Sequence, residues 1–257
     1  MQGNLLVHKT AVLVLFMRSL YSPPNSPAAL LAKKLGAEGL MRQFIAECAA
    51  EKKLDVNEIF GELCALAPIV EARTIALSSL AENIGMNRYF CFGAGLCPLC
   101  FEITADPNKK FCHTDLSGEL LNYMADFANE YFRFPPRMIN FMRLDVLNQG
   151  QMERIPGSLG YQPWLFYSAG LLQYLSLPQK EVFFRLLSEI LQRNPGSCFI
   201  TVDLSTKDQF SRLFTLRPSA IVALELVSGM TGVNLQENSF DGQQIKVEML
   251  KKFGLKI

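Results

Sequence analysis

The stretch RYFCFGAGLCPLCFE, Arg88–Glu102, limits the fold more than any other part of the chain. An apolar run long enough for one strand ends on Gly93-Ala94-Gly95, and the segment after it has the spacing of a helix start. Strand, glycine turn and helix in that order describe a loop where a nucleotide or nucleoside can approach the backbone. Glycine tolerates positive φ there, and a helix start offers unpaired N–H groups. The motif gains weight from the segments downstream of it: a second apolar run closes on Asp115, a third on Asp145, and a strand-turn spans Leu165–Gly170.

Strands that alternate with helices build a parallel sheet covered on both faces. The pattern predicts strands over Arg88–Phe92, Lys110–Thr114, Met138–Arg143, Trp164–Ser168 and Ser197–Asp203. Helices are predicted over Leu96–Thr104, Gly118–Tyr131, Pro178–Arg193 and Gly242–Phe253, with helical pieces across Lys207–Ser228. The earlier part of the chain reads as helical. Thr10–Tyr21 is ended by Ser22-Pro23-Pro24, and from Pro27 onward Leu30, Leu31, Leu35, Leu40, Phe44 and Ile45 recur at helical spacing. Pro68 is expected to break this region from a further helix, Glu71–Asn83. The fold class is therefore α/β: a doubly wound, mostly parallel, Rossmann-like sheet over residues 71–257, with an N-terminal helical cap over residues 1–70, in one globular unit. In such sheets ligands sit beyond the carboxyl ends of the strands, where the strand order reverses. Gly93, Gly95, Asp115, Asp145 and Ser168–Gly170 all lie at such ends.

Composition narrows the partners. The 257 residues carry 25 basic and 24 acidic side chains, net +1, with no long run of like charge, so nucleic acid and anionic membranes are not expected partners. No uninterrupted apolar run reaches the roughly 18 residues of a spanning helix, so a spanning helix is not expected. Lys9 ahead of Ala11–Met17 has the outline of a secretory signal, but Arg18 cuts the apolar core short and no small-x-small site comes after it. Seven scattered cysteines, an odd number, point to reduced thiols in a cytoplasmic compartment. Two histidines, His8 and His113, leave little material for a metal site, and none is expected.

A dinucleotide fingerprint needs a third glycine where this chain has Pro98, so a pyrophosphate fits poorly. Asp115 is placed to accept hydrogen bonds from a ribose, which NAD and S-adenosylmethionine share, and a cofactor without phosphates is the better match. The competing role for Asp115 is a helix N-cap ahead of Gly118. Cys97-Pro98-Leu99-Cys100 at a helix start also has the form of a dithiol redox site, since a helix N-terminus favours the thiolate. No proline-led strand lies downstream for its substrate, and one such pair is half a zinc site. Buried thiols are the alternative.

Six segments stand in order along the chain: His8-Lys9-Thr10-Ala11-Val12-Leu13 ahead of Arg18; Glu71-Ala72-Arg73-Thr74; FGAGLCPLCFE; His113-Thr114-Asp115-Leu116; Arg143-Leu144-Asp145-Val146; and Ser168-Ala169-Gly170-Leu171-Leu172-Gln173-Tyr174-Leu175. Together they resemble the leucine carboxyl methyltransferase and polyketide O-methyltransferase family of S-adenosylmethionine-dependent enzymes. The resemblance implies that the cofactor is held by Arg73, Cys91, Gly93, Ala94, Gly95, Asp115, Leu116, Asp145, Val146, Ser168 and Ala169, with Arg73 on its carboxylate. It also implies methyl transfer to a carboxylate or hydroxyl of a small molecule or chain end. Tyr21, Tyr161, Tyr167 and Tyr174 are pocket-lining candidates, and no catalytic residue is assigned. The chain departs from the family pattern at Cys91 and Ala169, where the family carries acids. The family's sixth strand and antiparallel seventh are not expected before Ile257, so either the fold is clipped or the end was removed. A non-catalytic binding or scaffold relative is the second reading, and a dithiol oxidoreductase the third.

Overall fold

The computed structural model of the chain describes residues 5–52, 55–103, 108–131, 139–160, 162–216 and 220–255. Thr104, Met138 and Tyr161 lie outside them. The N-terminal region consists of helices α1 (Leu5–Ser19), α2 (Pro27–Leu35), α3 (Ala37–Lys52) and α4 (Val56–Ile84). Local chemistry sets their ends. The Ser26 hydroxyl accepts from the Ala29 N–H at 3.2 Å, Pro27 opens α2, and Gly36 closes it at φ 65°. Asp55 starts α4 by accepting from the N–H groups of Asn57 and Glu58 at 2.8 and 2.9 Å.

Pro68 does not end a helix; it sits inside α4, which replaces the separate helix expected over Glu71–Asn83. Proline in a helix interior costs about 3 kcal/mol. The buried stripe of Ile59, Leu63, Ala67, Leu77 and Ala81 continues on both sides of it, with α4 packed on α1 and α3. Each leucine- or isoleucine-sized side chain buried there contributes about 1.5–3 kcal/mol, so the stripe outweighs the break. Residues 70 and 71, the expected handover from cap to sheet domain, both lie within this helix. By length and composition α4 is also apolar enough to cross a membrane, a property that the absence of any uninterrupted apolar run does not reveal. Ile69, Ile75 and Leu80 project from it as exposed side chains.

Beyond α4, strands and helices alternate: β1 (Arg88–Phe92), α5 (Leu99–Ile103), β2 (Lys110–Asp115), α6 (Gly118–Tyr131), β3 (Ile139–Arg143), α7 (Gln149–Met152), α8 (Ile155–Ser158) and β4 (Leu165–Ser168). A 3-10 turn (Leu172–Tyr174) precedes α9 (Leu177–Arg193), β5 (Cys198–Thr201), α10 (Lys207–Leu216), α11 (Ala220–Thr231) and α12 (Gln243–Lys252). Every strand pairing is parallel and the order is β3-β2-β1-β4-β5. β1 is central and apolar throughout because both of its faces are covered. Tyr89 and Cys91 face the core shared with α1, α4 and α6, while Phe90 and Phe92 face the core built on α9. There Phe92 meets Phe183 edge-on, with centroids 5.4 Å apart.

The chain leaves β1 toward β2 and β3 on one side and returns to β4 and β5 on the other, so the order reverses between β1 and β4. One buried cation holds the neighbouring segments. Lys180 donates to the carbonyls of Leu175 and Asn238 at 2.6 and 2.5 Å, tying the loop after β4 to the turn after α11. Burial pulls its pKa down to about 8.

Candidate functional site

The glycine loop is fixed by the end of β2. Ala94 N–H donates to Thr114 O at 2.8 Å, Gly95 N–H donates to Asp115 Oδ2 at 2.8 Å, and the Thr114 hydroxyl donates to Cys91 O at 2.7 Å. His113 Nε2 donates to Gly95 O at 3.1 Å. These bonds hold Gly93 and Gly95 at φ 59° and 52°, the left-handed region that favours glycine. Both glycines also meet their own chain. A Cβ on Gly93 would lie 2.8 Å from Leu171 Cδ1, and one on Gly95 would lie 3.4 Å from the Ala11 Cβ of α1.

The helix expected over Leu96–Thr104 is a five-residue turn of helix that begins only at Leu99. Pro98 lacks an N–H, and Cys97 N–H folds back onto Ala94 O at 2.9 Å, so fewer donors than expected face the loop. Asp115 is not the cap of α6. That role belongs to Ser117, whose hydroxyl accepts from Leu120 N–H at 3.3 Å, while Asp115 Oδ1 accepts from Ser117 N–H at 2.8 Å. The carboxylate is thus a brace between the two loops, with two of its roughly four acceptor positions filled.

Leu116, next to it, is 55% exposed at the sheet edge, and Val146 is buried. Asp145 closes the turn after β3, accepting from Leu147 N–H at 2.9 Å. At the end of β4, the Ser168 hydroxyl pairs with Thr201 Oγ1 at 3.0 Å and donates to Asp203 Oδ2 at 3.1 Å, and Ala169 is half-buried beside it. Cys91 is fully buried, in side-chain contact with Tyr167 and close to Cys97 and Cys100.

Asp203 belongs to the site although no sequence motif singles it out. Its carboxylate is fully buried and accepts from Gly170 N–H (2.7 Å), Leu171 N–H (3.0 Å), Leu172 N–H (3.3 Å), the Ser168 hydroxyl and Arg73 Nη2 (3.0 Å). Arg73 Nη2 also donates to Val202 O at 3.2 Å. The one signal for Asp203 in the sequence is its position at the end of the expected strand Ser197–Asp203, on the same edge as the other candidates.

No family model matches the chain, and no curated protein matches it. Among solved structures it is similar to a SAM-dependent methyltransferase from Anabaena variabilis, at 17% identity over 69% of each chain with a TM-score of 0.49. It is similar to PigF with SAH, at 14% identity over 75% of this chain and 54% of that one, TM-score 0.47. A third similarity is to human N-acetylserotonin methyltransferase in complex with SAM, at 15% identity over 91% of this chain and 66% of that one, TM-score 0.44. The strand order is what decides the architecture. The fold is Rossmann-like. Function has to come from the chain's own groups.

Those groups favour binding over redox or base chemistry. All seven cysteines are free thiols, and burial pushes Cys91, Cys97 and Cys100 up, which keeps them protonated and weak as nucleophiles. Burial likewise pushes the phenols of Tyr167 and Tyr174 up. No group of three or more His, Cys, Asp or Glu among the described residues could hold a metal ion.

His113 gives a pH test of the loop. Burial pulls its pKa from 6.5 down to about 4, with smaller opposing effects from the Gly95 carbonyl and Asp115. Between those values the unfolded chain binds a proton that the folded chain refuses. Stability is therefore complete above about pH 6.5 and falls by up to roughly 3 kcal/mol as the pH drops toward 4. Urea unfolding at pH 7, 6 and 5 should show this slope in the native chain and a flatter one in His113→Gln, which keeps a donor for Gly95 but does not titrate.

Proposed function

We propose that the chain binds S-adenosylmethionine over the Gly93–Gly95 loop and transfers its methyl group to an oxygen of a small molecule or chain end. The observation that carries this reading is the braced glycine loop at the reversal of strand order, with a carboxylate at the end of the adjacent strand. Asp115 has acceptor capacity left for a ribose, and Leu116, which follows it and is exposed, offers an apolar surface for a base. When bound, the cofactor supplies an electrophilic methyl on a sulfonium; the protein's part is to orient the acceptor oxygen in line and exclude water. A carboxylate acceptor needs no general base, whereas a hydroxyl does. With Tyr167 and Tyr174 held protonated and His113 committed to Gly95, a carboxylate is the better-supported acceptor.

Arg73 is proposed to take the cofactor's carboxylate. Its side chain is 36% exposed, and Nη2 is committed to Asp203 and Val202 O while Nε and Nη1 are not. A two-bond fork needs Nη2, so the ligand would compete with Asp203 or accept single bonds. That competition and the contact of Leu171 with Gly93 favour the second reading, a non-catalytic relative whose cleft is closed by its own side chains.

Arg73→Lys tests the carboxylate contact. Under the first reading it weakens S-adenosylmethionine about tenfold, in line with the loss of one charge-assisted bond, and leaves methylthioadenosine, which lacks the carboxylate, unchanged. Equal weakening of both ligands removes Arg73 from the site.

A further inference from the structure

A cavity of about 240 Å³ opens between the C-terminal end of α1, the loop into α2, the outer side of α4, and α5. Its polar wall includes Arg18, Ser22, Glu71, Thr74, Ser78 and Glu102. Arg18 Nε donates to Glu71 Oε2 at 3.2 Å, and Arg18 Nη2 donates to Glu102 Oε1 at 2.9 Å and Oε2 at 3.2 Å. The guanidinium is 3% exposed, whereas Glu71 and Glu102 retain 16% and 26%, so solvent meets the carboxylates and not the cation. One guanidinium against two carboxylates leaves one negative charge in excess. Among the described residues Glu71 Oε1 accepts no hydrogen bond, and the hydroxyls of Ser22 and Ser78 make none.

We propose that this cavity binds a small ligand carrying an ammonium group and a neighbouring hydroxyl, with the ammonium on Glu71 Oε1 and the hydroxyl among Ser22, Thr74 and Ser78. A carboxylate already oriented by a buried guanidinium loses little freedom on accepting a second cation, and the attraction is strengthened in a partly desolvated cleft. The volume is below the roughly 300–1,000 Å³ of sites for larger organic ligands, which restricts the occupant to a small molecule. An anionic ligand is disfavoured by the excess charge, and the buried Arg18 Nη1, which has no partner among the described residues, is left to donate to a neutral oxygen such as the ligand's hydroxyl. The strand-end cleft is not involved: α1 passes Gly95 at Ala11 and reaches this cavity at Arg18, about 10 Å further along its axis. The proposal therefore stands whether or not the chain binds S-adenosylmethionine.

The test is calorimetric titration of the whole chain with three probes of one length: 4-amino-1-butanol, 1,4-butanediol and 4-hydroxybutanoate. The amine is expected to bind saturably and at least about tenfold more tightly than the diol, with no measurable binding of the anion. Ile75→Trp places a large ring at the cavity wall without touching the Arg18 ion pairs, and should weaken the amine about tenfold or more. Glu71→Gln should abolish the preference for amine over diol; should that variant fail to fold, Ile75→Trp decides alone, because Ile75 is 57% exposed. Equal affinity for amine and diol, absence of saturation with the amine, or an isotherm unchanged by Ile75→Trp would overturn the proposal.

Discussion

Replacement of Asp203 by alanine should lower the unfolding free energy by about 3–5 kcal/mol, the loss expected when one member of a buried charge network is removed. The side chain has no exposed surface and accepts five hydrogen bonds, three from consecutive backbone N–H groups of Gly170, Leu171 and Leu172. Truncation takes the acceptor from those donors, of which Leu172 is buried, and leaves Arg73 without its carboxylate. Asp203→Asn keeps one acceptor oxygen and should fall between the two. For a chain of this size the alanine variant should melt roughly 6–20 °C lower. A loss under about 1 kcal/mol in urea unfolding would mean that the loop after β4 is held by something else.

A second large effect is expected from Cys91→Asp, which places an acid at the end of β1. Cys91 has no exposed surface; of its ionisable neighbours, Tyr167, Cys97 and Cys100 are pushed toward their neutral forms, and the fourth, Asp115, is a carboxyl group that repels a second one. A carboxylate placed there is desolvated without a cation beside it, at a cost of about 3 kcal/mol or more at pH 7. The sign with pH is fixed by that cause. Burial raises the folded-state pKa of the new carboxyl above about 3.9, so the deficit narrows as the pH falls through the raised value and the group protonates. Thermal melts at pH 7 and pH 5 measure it. A variant as stable as the native chain, with gained affinity for S-adenosylmethionine, would show that the end of β1 opens onto a ligand.

Much of the sheet was legible because a parallel strand covered on both faces is a short apolar run closed by glycine or a polar residue. Arg88–Phe92 and Gly118–Tyr131 have the expected bounds, and the other strands differ by a few residues at most. The continuity of α4 through Pro68 was not legible, because local backbone chemistry argues for a break and only packing against α1 and α3 overrides it. Nor was the weakness of the helix after Gly95, where Pro98 and the fold-back of Cys97 shorten α5 to Leu99–Ile103. The candidate site was legible as a set of strand ends but not as a network. Arg73 and Asp203 are 130 residues apart, and no local pattern marks their pairing.

The central claim is that the strand-end cleft between β1 and β4 accepts S-adenosylmethionine despite the packing of Leu171 and Ala11 on its glycines. Isothermal titration of the whole chain with S-adenosylmethionine tests it most directly. Saturable binding at one site per chain, displaced by the demethylated product, is the expected result; no saturable binding up to millimolar ligand, in protein shown to be folded, would contradict it.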